Sequence, residues 1–146
     1  MTHIPLRTPA PLILLVEDFA DAREMYRDYL EFSGFRVVTA CDGREAIEKA
    51  RAVAPDLILM DLSLPGIDGW EATRILKADK KTNHLLIVAL SAHALAPEGQ
   101  RARDAGCDGF IAKPCLPPEL VSEISKFLDL EPEAEDRPAQ RKSRRR

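Results

Sequence analysis

The chain has no apolar run approaching the roughly 20 residues that a membrane-spanning helix needs. Its first eleven residues include Pro5, Pro9 and Pro11 and lack the apolar stretch of a secretory signal. No membrane association is therefore expected, and the cytoplasm is the expected location. Cysteine is scarce: Cys41, Cys107 and Cys115 are odd in number and fit no metal-binding spacing. They are expected to be reduced, small and mostly buried side chains. His3, His84 and His93 are scattered and form no ligand cluster, so a zinc site has no support. No internal repeat is present.

A surplus of positive charge is also missing from the body of the chain. The net charge of −3 hides a split at the C-terminus. Residues 129–136 carry five acids (Asp129, Glu131, Glu133, Glu135, Asp136) and no base. Residues 137–146 carry six bases (Arg137, Arg141, Lys142, Arg144, Arg145, Arg146) and no acid. Setting these aside leaves 15 of the 21 bases and 19 of the 24 acids in residues 1–128. A mildly acidic body argues against nucleic-acid binding by the domain, and the basic tail is the only candidate for it.

What is present is the composition of a globular domain, 45% hydrophobic and 31% charged over 146 residues. The expected organisation is an N-terminal extension over 1–10, one folded domain over 11–129, and a disordered acidic-then-basic tail over 130–146. Within the domain, strand and helix signals alternate five times. Leu12–Val16 is a continuous apolar run, so a strand covered on both faces. Ala22, Met25, Tyr26, Tyr29 and Leu30 form one stripe of a helix over about 21–33, which Gly34 stops. Phe35–Ala40 is the second strand, and Arg36 suggests a sheet edge. The second helix covers about 43–54, with Ala46, Ile47, Ala50, Val53 and Ala54 on one face and Pro55 ending it.

Leu57–Met60 is the third strand, and Asp68 caps a third helix that reaches about Ala78. Leu85–Leu90 and Phe110–Ala112 are strands four and five. Between them, residues 94–105 form a weakly apolar helix with Pro97 in its first turn, an element with little to hold it in one position. Leu116-Pro117-Pro118-Glu119 opens the last helix, whose apolar residues are Leu120, Val121, Ile124, Phe127 and Leu128. Strict alternation with short connections implies an α/β, doubly wound, five-stranded parallel sheet with helices on both faces. Ligands of such sheets bind beyond the carboxyl ends of the strands.

The charged residues fall at that edge. Asp61 ends the apolar third strand, where an ionised carboxylate costs free energy unless something binds it or reacts with it. Glu17 and Asp18 follow the first strand, Ser91 the fourth and Lys113 the fifth. Three converging carboxylates repel, and a divalent cation such as Mg²⁺ (or Mn²⁺) relieves the repulsion while keeping waters for a phosphate. Asp61 is then a nucleophile for phosphorus. The Lys113 ammonium and the Ser91 hydroxyl can neutralise and hold the equatorial oxygens.

In this ordered set the chain resembles the receiver domain of two-component response regulators, over roughly residues 11–129. Asp61 lies 30 residues before Ser91, and Ser91 lies 22 before Lys113, as in that family. Leu64-Pro65-Gly66-Ile67-Asp68-Gly69 matches the loop after the acceptor. The resemblance implies a flavodoxin-like (βα)5 fold with strand order 2-1-3-4-5. It implies Asp61 as phosphoacceptor, Asp18 and Asp61 as direct Mg²⁺ ligands with the Ser63 backbone carbonyl, and Glu17 acting through water. Ser91 matches the switch hydroxyl, Phe110 the switch aromatic, and Lys113-Pro114 a lysine-proline pair joined by a cis bond.

On phosphorylation Ser91 would move toward the phosphate and Phe110 into the space it leaves. The face of the fourth helix, fifth strand and last helix would then change for a downstream protein. The implied phosphodonor is a sensor histidine kinase or a histidine phosphotransfer protein. The implied protein is a stand-alone signalling switch or phosphorelay member, not a turnover enzyme. His93 is a candidate modulator of phosphoryl lifetime, or simply a surface residue. Phe110 could be only a core aromatic, and the tail only a solvated end. Aspartate-nucleophile phosphatases share the strand-end Asp but need a second Asp two residues on, where this chain has Ser63. A docking-only pseudo-receiver would not need all five groups.

Overall fold

A computed structural model of the chain describes residues 10–62, 66–91, 103–113 and 115–129. Five strands, β1 (Leu12–Val16), β2 (Arg36–Ala40), β3 (Leu57–Asp61), β4 (Leu86–Ser91) and β5 (Gly109–Ala112), form one parallel sheet in the order β2-β1-β3-β4-β5. Four helices pack on it: α1 (Ala20–Phe32), α2 (Gly43–Val53), α3 (Gly69–Ala78) and α4 (Pro117–Phe127). Residues 103–105 are also helical. The rest of the helix expected between strands four and five lies outside the described residues.

Side-chain alternation along the strands divides the core in two. Ile13, Leu15, Leu57, Leu59, Val88, Leu90 and Ile111 face Tyr26 and Leu30 of α1 and Leu120, Val121 and Ile124 of α4. Leu14, Val16, Ile58, Met60 and Ile87 face Ala46, Ile47 and Ala50 of α2 and Ala72 and Leu76 of α3. Every residue of β3 is buried, as expected of a strand covered on both faces. β2 is the outer strand, and the Arg36 side chain leaves the sheet to donate to the Ala10 carbonyl at 2.8 Å.

The helix ends follow local chemistry. Asp42 accepts from the Glu45 N–H at 2.8 Å and Asp68 from the Glu71 N–H at 2.9 Å, so both cap helices that start with glycine. Glu119 reaches back to the Leu116 N–H at 3.2 Å at the head of α4. Gly34 takes a positive φ of 109° after α1, the conformation expected of its stop signal.

Three expectations fail. Met25 is 46% exposed and does not join the α1 stripe, because the buried line runs through Tyr26, Leu30 and Ser33. Val53 is 38% exposed and Ala54 has left the helix in a left-handed conformation (φ 46°), because Pro55 forces the chain to turn there. Cys41 is exposed and Cys107 half-buried, so only Cys115 is a buried thiol. Burial pushes the Cys107 thiol up to about 11, which leaves it protonated and inert.

β5 is held at its start by one carboxylate. Asp108 donates its N–H to the Ile87 carbonyl at 2.7 Å, and its side chain accepts the Ile87 N–H at 2.8 Å. The same oxygen pairs with Lys77 at 2.9 Å, and Lys77 also donates to the Leu85 carbonyl at 2.8 Å. α3, β4 and β5 are thereby tied together below the functional edge.

Candidate functional site

The ladder delivers the charged residues to one place. Val16 pairs with Met60, Asp61 with Leu90 and Ser91 with Ala112. Glu17 extends β1 by one bond, its N–H donating to the Ala40 carbonyl at 3.0 Å. Lys113 extends β5 likewise, donating to the Ser91 carbonyl at 2.7 Å. Glu17, Asp61, Ser91 and Lys113 therefore stand side by side at the carboxyl edge, as the sequence predicted.

Glu17, Asp18 and Asp61 each offer an oxygen, and these three atoms lie within 4.8 Å of one another. Glu17 and Asp61 are 2% and 4% exposed, while Asp18 faces solvent. The Lys113 ammonium pairs with Glu17 at 2.8 Å and lies 3.7 Å from Asp61. Burial, the largest single influence, pulls the Lys113 pKa down. The Glu17 hydrogen bond and the Asp61 and Glu17 charges outweigh it and raise the pKa, so the lysine is a cation at neutral pH. Among the described residues the Lys113 ammonium faces three acids, and the surplus of negative charge suits a divalent ion. The donors are all hard oxygens, which fits Mg²⁺ or Mn²⁺ and not a soft metal.

Two contacts from α1 hold the site that sequence reasoning missed. Arg23 donates to the Glu17 carbonyl at 2.9 Å and the Asp18 carbonyl at 3.3 Å, which fixes the backbone of the acid pair. Tyr26 donates its hydroxyl to the Cys115 carbonyl at 3.1 Å and so holds the chain after Lys113 against α1. Burial raises the Tyr26 pKa and keeps that donor protonated. Neither residue announces itself, since an arginine and a tyrosine on an amphipathic helix have many other uses. Gly69, read from the sequence only as part of the loop after the acceptor, has a steric role that the sequence did not show. A Cβ there would collide with the Asp61 carbonyl and the Leu62 backbone, so only glycine lets α3 start this close to the acceptor strand.

Ser91 is buried at the end of β4. Phe110 is half-buried beside a small apolar group of Leu62, Trp70, Ala89 and Ala105, and in the ladder it pairs with Ala89, two residues before Ser91. Ser63, His93 and Pro114 lie outside the described residues, and with them the expected carbonyl ligand, the lifetime modulator and the cis bond. Among the described residues no helix is long and apolar enough to cross a membrane.

The family model of the response regulator receiver domain matches residues 13–125. The polar-differentiation response regulator DivK of Brucella ovis is 36% identical over 116 residues, which is 80% of this chain and 94% of the relative. DivK of Brucella anthropi matches to the same extent. Among solved structures, the receiver domain of sensor histidine kinase PA1611 from Pseudomonas aeruginosa PAO1 was determined with a magnesium ion coordinated in its active site cleft. It is 34% identical with a TM-score of 0.76, and the match covers 82% of this chain and 98% of that one. The chemotaxis protein CheY4 of Vibrio cholerae is 28% identical with a TM-score of 0.76, covering 80% and 97%. With five parallel strands in the order β2-β1-β3-β4-β5 and its acids at their carboxyl ends, the chain belongs to the response regulator receiver domain family of two-component signal transduction.

Proposed function

We propose that this chain is a single-domain response regulator that accepts a phosphoryl group on Asp61 from the histidine of a sensor kinase or phosphotransfer protein. One observation carries the reading: the buried Asp61 carboxylate lies within 4.8 Å of the Glu17 and Asp18 oxygens and 3.7 Å from the Lys113 ammonium. Asp61 and Asp18, with the Ser63 carbonyl, would hold Mg²⁺, and Glu17 would orient a bound water. The ion supplies charge neutralisation on the transferring phosphoryl group.

The chain's own residues do the rest. Asp61 is presented at a strand end, so its carboxylate is fixed for in-line attack and needs no reorganisation. Lys113, anchored by Glu17, stands where the phosphoryl oxygens would gather. The Ser91 hydroxyl would donate to one of those oxygens, and Phe110 would fill the space that Ser91 vacates. The resulting change at β5, α4 and the helix expected between β4 and β5 would be the output, read by a downstream protein or passed on as a phosphorelay. His93 would tune the phosphoryl lifetime through water access. Receiver domains are phosphoacceptors, not conventional enzymes, and Ser63 in place of a second aspartate fits that role here.

Phe19 and Leu116, 62% and 64% exposed, sit on the two loops that border the site. Large apolar side chains on the rim support a protein as the phosphodonor. A location in the cytoplasm fits such a donor. The test is incubation with acetyl phosphate and Mg²⁺ followed by intact mass. One added phosphoryl group is expected, absent in Asp61→Asn and absent without a divalent cation. An unmodified wild-type protein under these conditions would make the domain a docking module only.

A further inference from the structure

The two helical faces of the sheet carry opposite charge. α2 has three bases (Arg44, Lys49, Arg51) against two acids (Glu45, Glu48). Residues 69–81, α3 and the turn after it, have four bases (Arg74, Lys77, Lys80, Lys81) against two acids (Glu71, Asp79). On the opposite face α1 has four acids, Asp21, Glu24, Asp28 and Glu31, against Arg23 and Arg27. Arg23 is turned inward to the Glu17 and Asp18 carbonyls. Arg27 is shared loosely between Glu24 at 3.7 Å and Glu31 at 3.9 Å. All four acids are exposed, and their spacing of three, four and three residues puts them on one stripe of the helix.

An apolar stripe runs beside it. Met25, Tyr29 and Phe32 recur at helical spacing; Met25 is 46% and Phe32 61% exposed, and the Tyr29 and Phe32 rings lie 6.2 Å apart. Carboxylates interleaved with aromatic faces are the chemistry that receives guanidinium groups, through ion pairs and stacking.

The chain itself contains such a ligand. All strands are parallel, so the C-terminal ends of α1 and α4 lie at the same edge and on the same face of the sheet. α1 and α4 touch one another on that face. Asp129, just beyond α4, therefore leaves the domain at the same edge and on the same face of the sheet as the Phe32 end of α1. Eight residues on is Arg137, within a reach of at most about 29 Å, and α1 is about 20 Å long. The order of the blocks suits this path: the acidic residues 129–136 are repelled by the α1 stripe, and the six bases that follow are attracted. Tethering raises the effective concentration of the basic block at α1 to about the millimolar range.

We propose that the basic segment 137–146 docks on the acidic-aromatic face of α1 within the same chain. The inference does not depend on Asp61 being phosphorylated. It is tested on the ¹⁵N-labelled full chain, by comparing amide spectra of the wild type with a full-length variant carrying Arg141→Gln, Lys142→Gln, Arg144→Gln, Arg145→Gln and Arg146→Gln. At low salt the amides of residues 21–32 are expected to differ between the two. The difference should be independent of protein concentration and vanish at about 1 M salt, where the Debye length is about 3 Å. A full-length Asp28→Asn, Phe32→Ser variant should give the spectrum of the undocked tail even at low salt. Unmoved α1 amides, differences located elsewhere on the domain, or differences that grow with concentration and so report a second copy would each overturn the proposal. So would tail amides that shift only on adding duplex DNA.

Discussion

Lys113→Met is the most revealing single change at the carboxylate cluster. Methionine keeps most of the apolar stem of the lysine and removes its ammonium, with the charge and the hydrogen bond to Glu17. Glu17, 2% exposed, then loses its 2.8 Å ion pair, and Asp61, 4% exposed, loses the ammonium 3.7 Å away. Breaking a buried ion pair on one side costs about 3–5 kcal/mol, and the lower end applies because the Lys113 side chain is 22% exposed and water can enter. A loss of about 3 kcal/mol is a large share of a total stability of about 5–15 kcal/mol. Glu17→Gln is milder, about 1–2 kcal/mol, since Lys113 still has Asp61 at 3.7 Å. The double variant should lose less than the sum of the two, because both substitutions remove the same Lys113–Glu17 pair.

Urea unfolding followed by circular dichroism gives these differences at neutral pH without divalent cations. Saturating Mg²⁺ should narrow the gap between Lys113→Met and wild type, because it supplies positive charge at the same place. Since the Lys113 pKa is raised in the fold, its contribution is fully present below about 10.4, the ordinary lysine value, and is lost as pH rises through the folded value. The gap should therefore also close in alkali. A loss under about 1 kcal/mol, or a gap that Mg²⁺ leaves unchanged, would refute the reasoning.

Gly69→Ala should destabilise the fold by about 3 kcal/mol and slow acetyl-phosphate labelling of Asp61, because its Cβ meets the Asp61 carbonyl and the Leu62 backbone; wild-type labelling and stability would reject the close approach. Glu45→Gln should cost about 1 kcal/mol at neutral pH. Glu45 is held down to about 2 by its hydrogen bond to Lys49 and by the Cys41 N–H, so its contribution is present above the ordinary value of 4.5 and fades as pH falls toward 2. Urea midpoints across that window check the fade, and a constant difference would contradict it. Asp108→Ala should cost about 2 kcal/mol, since it strips the Ile87 N–H and Lys77 of their shared acceptor; amide exchange should quicken first in β5. Trp70, the chain's one tryptophan, shares an apolar group with Phe110, so its emission should change when beryllofluoride occupies the acceptor site and stay constant in Asp61→Asn.

The sheet was legible because its strands are short apolar runs that end in charge. Asp61, Glu17, Ser91 and Lys113 each follow such a run, and parallel pairing does the rest. The helical faces were less legible. Periodicity admits two neighbouring stripes on α1, one through Met25 and Phe32 and one through Tyr26 and Leu30, and only packing against Ile124 and Leu120 selects the second. Val53 fits the period of α2 but sits where Pro55 turns the chain away. Arg23 and Tyr26 act through backbone carbonyls, and a sequence does not say which carbonyl a side chain will find; Gly69 acts by leaving room beside the Asp61 carbonyl. Those three contacts are what turn a row of strand-end acids into a fixed site.

Arg23 and Tyr26 also bind α1 to the site. Arg23 grips the backbone of Glu17 and Asp18 from the first turn of α1, and Tyr26 grips the chain after Lys113 from the second. The helix thus spans the acid pair and the lysine, the two partners of the 2.8 Å ion pair. A ligand that shifts α1 would change the spacing of those groups through the same contacts. Binding free energies coupled through one element are reciprocal. If the basic segment docks on α1 and Asp61 accepts a phosphoryl group, as proposed above, each event would bias the other to the same extent. The size of that bias is the change in salt-dependent α1 shifts between the free and beryllofluoride-bound chain, and it should disappear when Arg23 and Tyr26 are both replaced, by Gln and Phe, in a chain that still folds.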